Sequence, residues 1–190
     1  TLRDIKEGIR KFDYISVREQ QGAEILKSLT DKNIEVVCDP VILLNKEYWG
    51  QIAIKPKRRK PFILSYFLEN NHGDRSLLPY LQKETGYEVV ILNEFIRDFL
   101  KPYHHAYGAS PEEFIGLFME ASFVYTNSFH GTAFSTIFNK PFFTSIAKDQ
   151  KNSKNNNDSR KIDYLKRIGL EDRLIAGKED MRRKISIDYT

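Results

Sequence analysis

Cysteine is almost missing from this chain. Cys38 stands alone, so no disulfide can form within it, and nothing points to an oxidising compartment. The apolar run Ile34 to Cys38 reads as a place where a free thiol packs as a small buried hydrophobe, and no activating base lies nearby in sequence. No apolar stretch approaches the roughly 20 residues that span a bilayer. A basic start followed by an apolar core, the mark of a signal peptide, is also lacking. These absences lead us to expect a cytoplasmic location. An initiator Met is missing too: Thr1 enters directly into charged, helix-like sequence, which points to a chain without its beginning. There is no internal repeat, no recognised nucleic-acid-reading module, and no metal-ligand spacing. His104 and His105 are adjacent, so in an extended chain they face opposite sides. No metal, cofactor or nucleic-acid partner is therefore expected.

What is present is ordinary for a globular protein. A length of 190 residues allows one hydrophobic core without disulfides or metals. The 13 Phe and 10 Tyr sit largely in apolar runs and read mainly as core. Net charge is a mild +4, but five of the six residues from Lys55 to Lys60 are basic. Such a run reads either as a solvated loop or as a contact for an anionic ligand, an acidic polysaccharide or a membrane surface.

Short apolar runs alternate with helix-period segments, the pattern of β-α units in a parallel sheet. The strands expected are Tyr14 to Val17, Ile34 to Cys38, Phe62 to Leu68, Glu88 to Leu92, Phe123 to Thr126 and Pro141 to Ala147. Helices are expected at Gln20 to Leu29, Leu77 to Lys83 and Gly131 to Phe138, and around Ile162, Leu165 and Ile168. The best signalled helix starts at Ser110, a natural N-cap, with Pro111 in the first turn and Glu112 and Glu113 at the positive end of the dipole. Lys148 to Ser159 is polar and Asn-rich and reads as a mobile loop. Right-handed crossovers favour a Rossmann-like, open and mainly parallel sheet with helices on both faces, spanning residues 1–190 as a single domain. Ligands of such sheets gather beyond the strand carboxyl ends. That singles out Arg18, Asp39, Glu69 with Asn70, Asn93, and Asn127 to Gly131.

The most informative stretch is Tyr125-Thr-Asn-Ser-Phe-His-Gly131, which runs from a strand end into a glycine read as opening a helix. Backbone amides at a helix start attract anions, and a glycine lets a phosphate or carboxylate come close. Ser128 and Thr132 offer hydroxyls. His130 beside them serves as a general acid or base, or merely caps the helix. Arg18 presents a planar cation for phosphate or carboxylate, or pairs with Glu19 or a carboxylate of the following helix. Asp39 before Pro40 either joins the site or fixes the strand exit. Glu113 either contacts ligand or caps its helix. His72, in Asn71-His-Gly-Asp, reads as an exposed turn residue.

Three segments together carry a family resemblance. Ile15-Ser-Val-Arg-Glu19 precedes a Gly22-Ala-Glu-Ile-Leu26 helix, and Val36-Val-Cys-Asp-Pro-Val-Ile-Leu-Leu44 comes next. Tyr125-Thr-Asn-Ser-Phe-His-Gly-Thr-Ala-Phe-Ser135 closes the series after Ser110-Pro-Glu-Glu-Phe114. In order and spacing these resemble polysaccharide pyruvyltransferases, from roughly Ile5 to Ala147, with Ser-Phe-His-Gly the most specific part. The resemblance implies the C-terminal lobe of a two-lobed enzyme of GT-B-like architecture. It implies a pyruvyl group moved from phosphoenolpyruvate to a sugar hydroxyl of a cell-surface polysaccharide or its precursor, with lipid-linked acceptors included. His130 then matches a proposed general acid and Arg18 an arginine that grips the donor. Asn127, Ser128, Gly131, Thr132, Asp39 and Glu113 are candidates for substrate contact. The rival expectations are a nucleotide-sugar glycosyltransferase lobe and a non-catalytic module that binds anionic polysaccharide through Lys55 to Lys60.

Overall fold

The structure is a computed structural model, and it describes residues 1–68, 75–92, 101–147 and 158–184. Two compact units divide the chain, Thr1–Leu43 and Leu44–Thr190. The first holds α1 (Leu2–Arg10), β1 (Ile15–Val17), α2 (Gln20–Lys27) and β2 (Ile34–Val36), then a 3-10 turn over Pro40–Leu43. β1 and β2 pair in parallel from Ile15↔Ile34 to Val17↔Val36, with α2 as the crossover. Ile9, Ala23 and Ile34 supply its buried apolar residues. Cys38 corrects the sequence reading: it lies beyond the end of β2 and is exposed, because a two-stranded sheet has little interior in which to hide a thiol.

The second unit contains α3 (Lys46–Ile52), β3 (Phe62–Tyr66), α4 (Leu78–Thr85), β4 (Glu88–Leu92) and β5 (His104–Ala106). It continues with α5 (Pro111–Glu120), β6 (Phe123–Thr126), α6 (Phe129–Ile137), β7 (Phe142–Ser145), α7 (Ser159–Arg167), β8 (Leu174–Ile175) and α8 (Lys178–Lys184). Among the described residues its six strands are all parallel, in the order β5-β4-β3-β6-β7-β8. Counted from β3 this reads 3-2-1-4-5-6, the doubly wound order of Rossmann-type sheets. Two sheets thus carry the strands that the sequence reading drew into one, and β5 and β8 join the larger of them unannounced.

Alternation along the strands builds a core on each face. Ile63, Val89, Ile91, Phe123, Tyr125, Phe143 and Ile175 pack with Leu78 and Leu81 of α4 and Met181 of α8. On the other face Tyr66 stands edge-on to Phe114, ring centroids 5.2 Å apart, and Phe114 meets Phe134 of α6 at 5.6 Å. The aromatic richness of the sequence is thus spent largely on packing. Gly116 marks a close crossing under α5: a Cβ there would lie 1.8 Å from the Ile54 carbonyl oxygen. The helix start read at Ser110 is present in full. Ser110 Oγ accepts from the Glu113 amide, and the Glu113 carboxylate accepts from the Ser110 amide.

Glu69, Asn70, His72 and Asn93 lie outside the described residues, as does 148–157 of the expected loop. The last two residues of that loop are structured, Asp158 being buried and Ser159 opening α7. Among the described residues, no helix is long and apolar enough to cross a membrane.

Candidate functional site

In a doubly wound sheet the crevice opens where the strand order reverses, beyond the strand carboxyl ends. Here that point falls between β3 and β6. The residues that follow β6 are the Asn127-to-Gly131 motif. Three hydrogen bonds stitch the two strand ends together. Thr126 Oγ1 donates to the Tyr66 carbonyl at 2.6 Å, and the Leu68 amide donates to Asn127 Oδ1 at 2.9 Å. The Tyr66 phenol and the Ser128 side chain also share a bond, while burial pushes the phenol above its ordinary pKa. A phenol so placed keeps its proton through the neutral range.

The motif turns sharply because its small polar side chains bond their own backbone. The Ser128 amide donates to Thr126 Oγ1 at 3.0 Å, and Ser128 Oγ, as N-cap, accepts from the Gly131 amide at 3.3 Å. α6 therefore begins at Phe129, two residues ahead of expectation, with Gly131 inside its first turn. The glycine is required by the chain itself. A Cβ at Gly131 would sit 2.3 Å from Thr126 Oγ1, so the close approach it permits is helix to strand end. The Thr132 amide enters the helical ladder to the Ser128 carbonyl at 3.0 Å. Its buried hydroxyl donates to the same oxygen at 2.9 Å and meets the Thr144 hydroxyl at 2.9 Å. Asn127, Ser128, Gly131 and Thr132 thus form a buried frame whose polar groups are engaged within the chain. His130 is half-buried on that frame, its ring edge-on to Phe129 at a centroid distance of 5.6 Å.

Arg18 and Asp39 belong to the first unit, Arg18 directly after β1 and Asp39 three residues after the end of β2. Arg18 Nη1 donates to Asp39 Oδ2 at 2.5 Å, so its partner is neither Glu19 nor a carboxylate of α2 but the residue beyond the neighbouring strand. Asp39 is buried and also caps the following turn, accepting from the Val41 amide at 3.1 Å. The Arg18 side chain remains 46% exposed. Glu113 is exposed in the capping box of α5.

The basic run lies at the other end of the larger sheet, ahead of β3. Arg58 and Lys60 converge on Glu88 at 2.8 and 3.1 Å, and Lys55 reaches Glu120 at 2.9 Å. These three cations already face carboxylates. The two histidines of β5 have separate neighbours, Glu88 for His104 and the Lys101 carbonyl for His105, each at 3.4 Å.

The sequence model of the polysaccharide pyruvyl transferase family matches residues 1–149. The chain belongs to that family. No curated protein matches it. Solved structures of the wall teichoic acid polymerase TagF are similar at 17% identity and TM-score 0.42. Two TagF variants stand at 19% and 0.45, and at 18% and 0.43. In each case the match covers 75% of this chain and 41% of TagF.

Within this pyruvyl transferase family member, three side chains around the motif escape a reading of sequence alone. Tyr66 looks like one more strand aromatic. Arg160 and Lys161 fall beyond the matched residues. The Arg160 guanidinium stands 4.4 Å from the centre of the Phe129 ring, which His130 also meets. Lys161 is buried and reaches the Asn127 carbonyl. Its one sequence signal is spacing: Lys161 and Leu165 share a buried ridge of α7 in line with its N-cap, Asp158, a face where a lysine is out of place.

Proposed function

We propose that this chain serves the transfer of a pyruvyl group from phosphoenolpyruvate to a sugar hydroxyl of a cell-surface polysaccharide or its precursor. Family membership supports the reaction class. The observation that carries the reading is the placing of His130, half-buried on the first turn of α6 where the strand order reverses.

The chemistry explains the residue types. A proton delivered to C3 of the donor leaves C2 electrophilic, and a sugar hydroxyl adds there as it loses its own proton. Phosphate then leaves with the electron pair of its C2–O bond. A second hydroxyl captured at C2 gives a cyclic ketal, whereas return of the C3 proton gives an enol ether. His130 is assigned the proton at C3, since an imidazole titrates where such transfers are useful. Arg18 is assigned the donor's anionic groups, which a guanidinium fork fits. Asn127, Ser128, Gly131 and Thr132 hold the turn that presents His130. The Gly131 and Thr132 amides have acceptors in the chain, and the donor's phosphate is assigned to cationic side chains. Glu113 and Asp39 act by holding a helix start and Arg18 respectively.

The test is phosphate release from phosphoenolpyruvate by the intact protein with candidate acceptors. His130→Ala is expected to lower kcat by about 10²–10⁴-fold, the usual loss for a proton donor. Arg18→Ala is expected to raise KM for phosphoenolpyruvate more than it lowers kcat. A His130→Ala variant of full activity, or a wild type that releases phosphate from no donor–acceptor pair, sinks the reading.

A further inference from the structure

We propose that Lys161 is a positioning residue for the His130 turn, a buried ammonium that fastens the carboxyl ends of β6 and β7. The proposal deepens the reading above and rests on it where turnover is concerned. An ammonium has three N–H groups and no acceptor. Lys161 Nζ stands 2.8 Å from the Asn127 carbonyl, 3.2 Å from the Ser145 carbonyl and 2.6 Å from Asp158 Oδ1. The first oxygen lies just past the end of β6, the second on the last residue of β7. Asp158 completes the clamp, its Oδ2 accepting from the Ala147 amide at 2.8 Å. With a side chain 2% exposed, the lysine has exchanged water for these oxygens almost completely.

Energetics argue for a geometric purpose. A buried ion pair adds little stability over apolar residues of similar volume, because both charges must be desolvated. An aliphatic side chain would suit the same ridge beside Leu165. What apolar packing could not supply is a grip on a carbonyl. Asn127 is held from two directions, its side-chain oxygen by the Leu68 amide and its main-chain oxygen by Lys161. The next residue is Ser128, which caps α6, and His130 follows two positions later. The clamp therefore fixes the peptide from which the turn hangs. Misplacement of a reacting group by about 1 Å can cost on the order of 100-fold in rate.

The decisive variant is the pair Lys161→Met with Asp158→Asn in the intact protein, which removes both charges and leaves no unpaired ion. Amide hydrogen exchange is read at Ser128 and Gly131, whose N–H groups bond inside the turn, and at Val124 in β6. Exchange is expected to quicken about 10-fold or more at Ser128 and Gly131 and to change little at Val124, as in local opening. Phosphate release from phosphoenolpyruvate is expected to lose about 10–100-fold in kcat with KM nearly kept. Unchanged exchange in the turn overturns the proposal. So does a uniform rise that includes Val124, which marks a merely structural lysine. Local quickening in a protein whose wild type never turns over phosphoenolpyruvate supports the clamp and removes the pyruvyl reading alone. If the double variant does not fold, Lys161→Gln, one atom shorter and still carrying two N–H donors, is judged by the same criteria.

Discussion

The hydroxyl of Thr126 donates to the carbonyl of Tyr66 at 2.6 Å, across the point where the six-stranded sheet reverses its order. Thr126 Oγ1 also accepts from the Ser128 amide and lies where a Cβ on Gly131 would intrude. One threonine side chain thus joins two strands, starts the turn and sets how closely α6 can approach.

Gly131→Ala tests that closeness. The added methyl would fall 2.3 Å from Thr126 Oγ1 and 2.9 Å from Thr126 Cβ, so the helix start must move. A loss of about 1–3 kcal/mol in unfolding free energy is expected from such overpacking. Denaturant titration measures it, and Thr126→Ala in the same chain should recover part of the loss. Equal stability of Gly131→Ala and wild type would show that the turn has slack.

Tyr66→Phe tests the stitch to Ser128. Removing the phenol should cost about 1 kcal/mol near neutrality, the usual worth of one hydrogen bond. Burial raises the Tyr66 pKa above 10.0, so the folded state favours the neutral phenol. That contribution is complete below the unfolded value and disappears as pH rises through the folded one. Wild-type stability should therefore decline more steeply in strong alkali than that of Tyr66→Phe. Parallel alkaline curves would count against a buried, bonded phenol.

How much of this was legible in advance depended on how local the cause is. β4 and β6 are legible to the residue, because continuous apolar runs bounded by turn residues leave few alternatives. Ser110, Pro111 and Glu113 announced α5 from within four residues. β5 and β8 hold three residues and two, too few for any periodicity to register. The sequence presents Gly131 as the opening of α6, but Ser128 caps the helix, and the glycine answers to packing against Thr126. The motif itself could be found because its turn is closed by neighbours in sequence. Its outer supports could not, since Tyr66 and Lys161 arrive from 62 residues before Ser128 and 34 residues after Asn127.

Glu88→Gln tests the cluster at the opposite sheet end. Hydrogen bonds from Lys60 and Arg58 hold the Glu88 carboxyl below its ordinary 4.5. Stability from a depressed carboxyl is present above the unfolded pKa and is lost as pH falls through the folded one. The variant should therefore be less stable than wild type near neutrality and converge with it in acid. Denaturation midpoints across that pH range decide the matter, and a gap independent of pH refutes it. The gap near neutrality should also narrow in high salt, because Lys60 stands largely in solvent, where its attraction to Glu88 is screened.

The strand order has a further consequence for solubility. Among the described residues its outermost members, β5 and β8, are short, at three and two residues, so each offers few open backbone groups to a passing strand. The longer ladders of β3 and β4 are satisfied on both sides by neighbours. A sheet rich in buried phenylalanine is in this way given little margin on which to recruit another chain and grow into an aggregate.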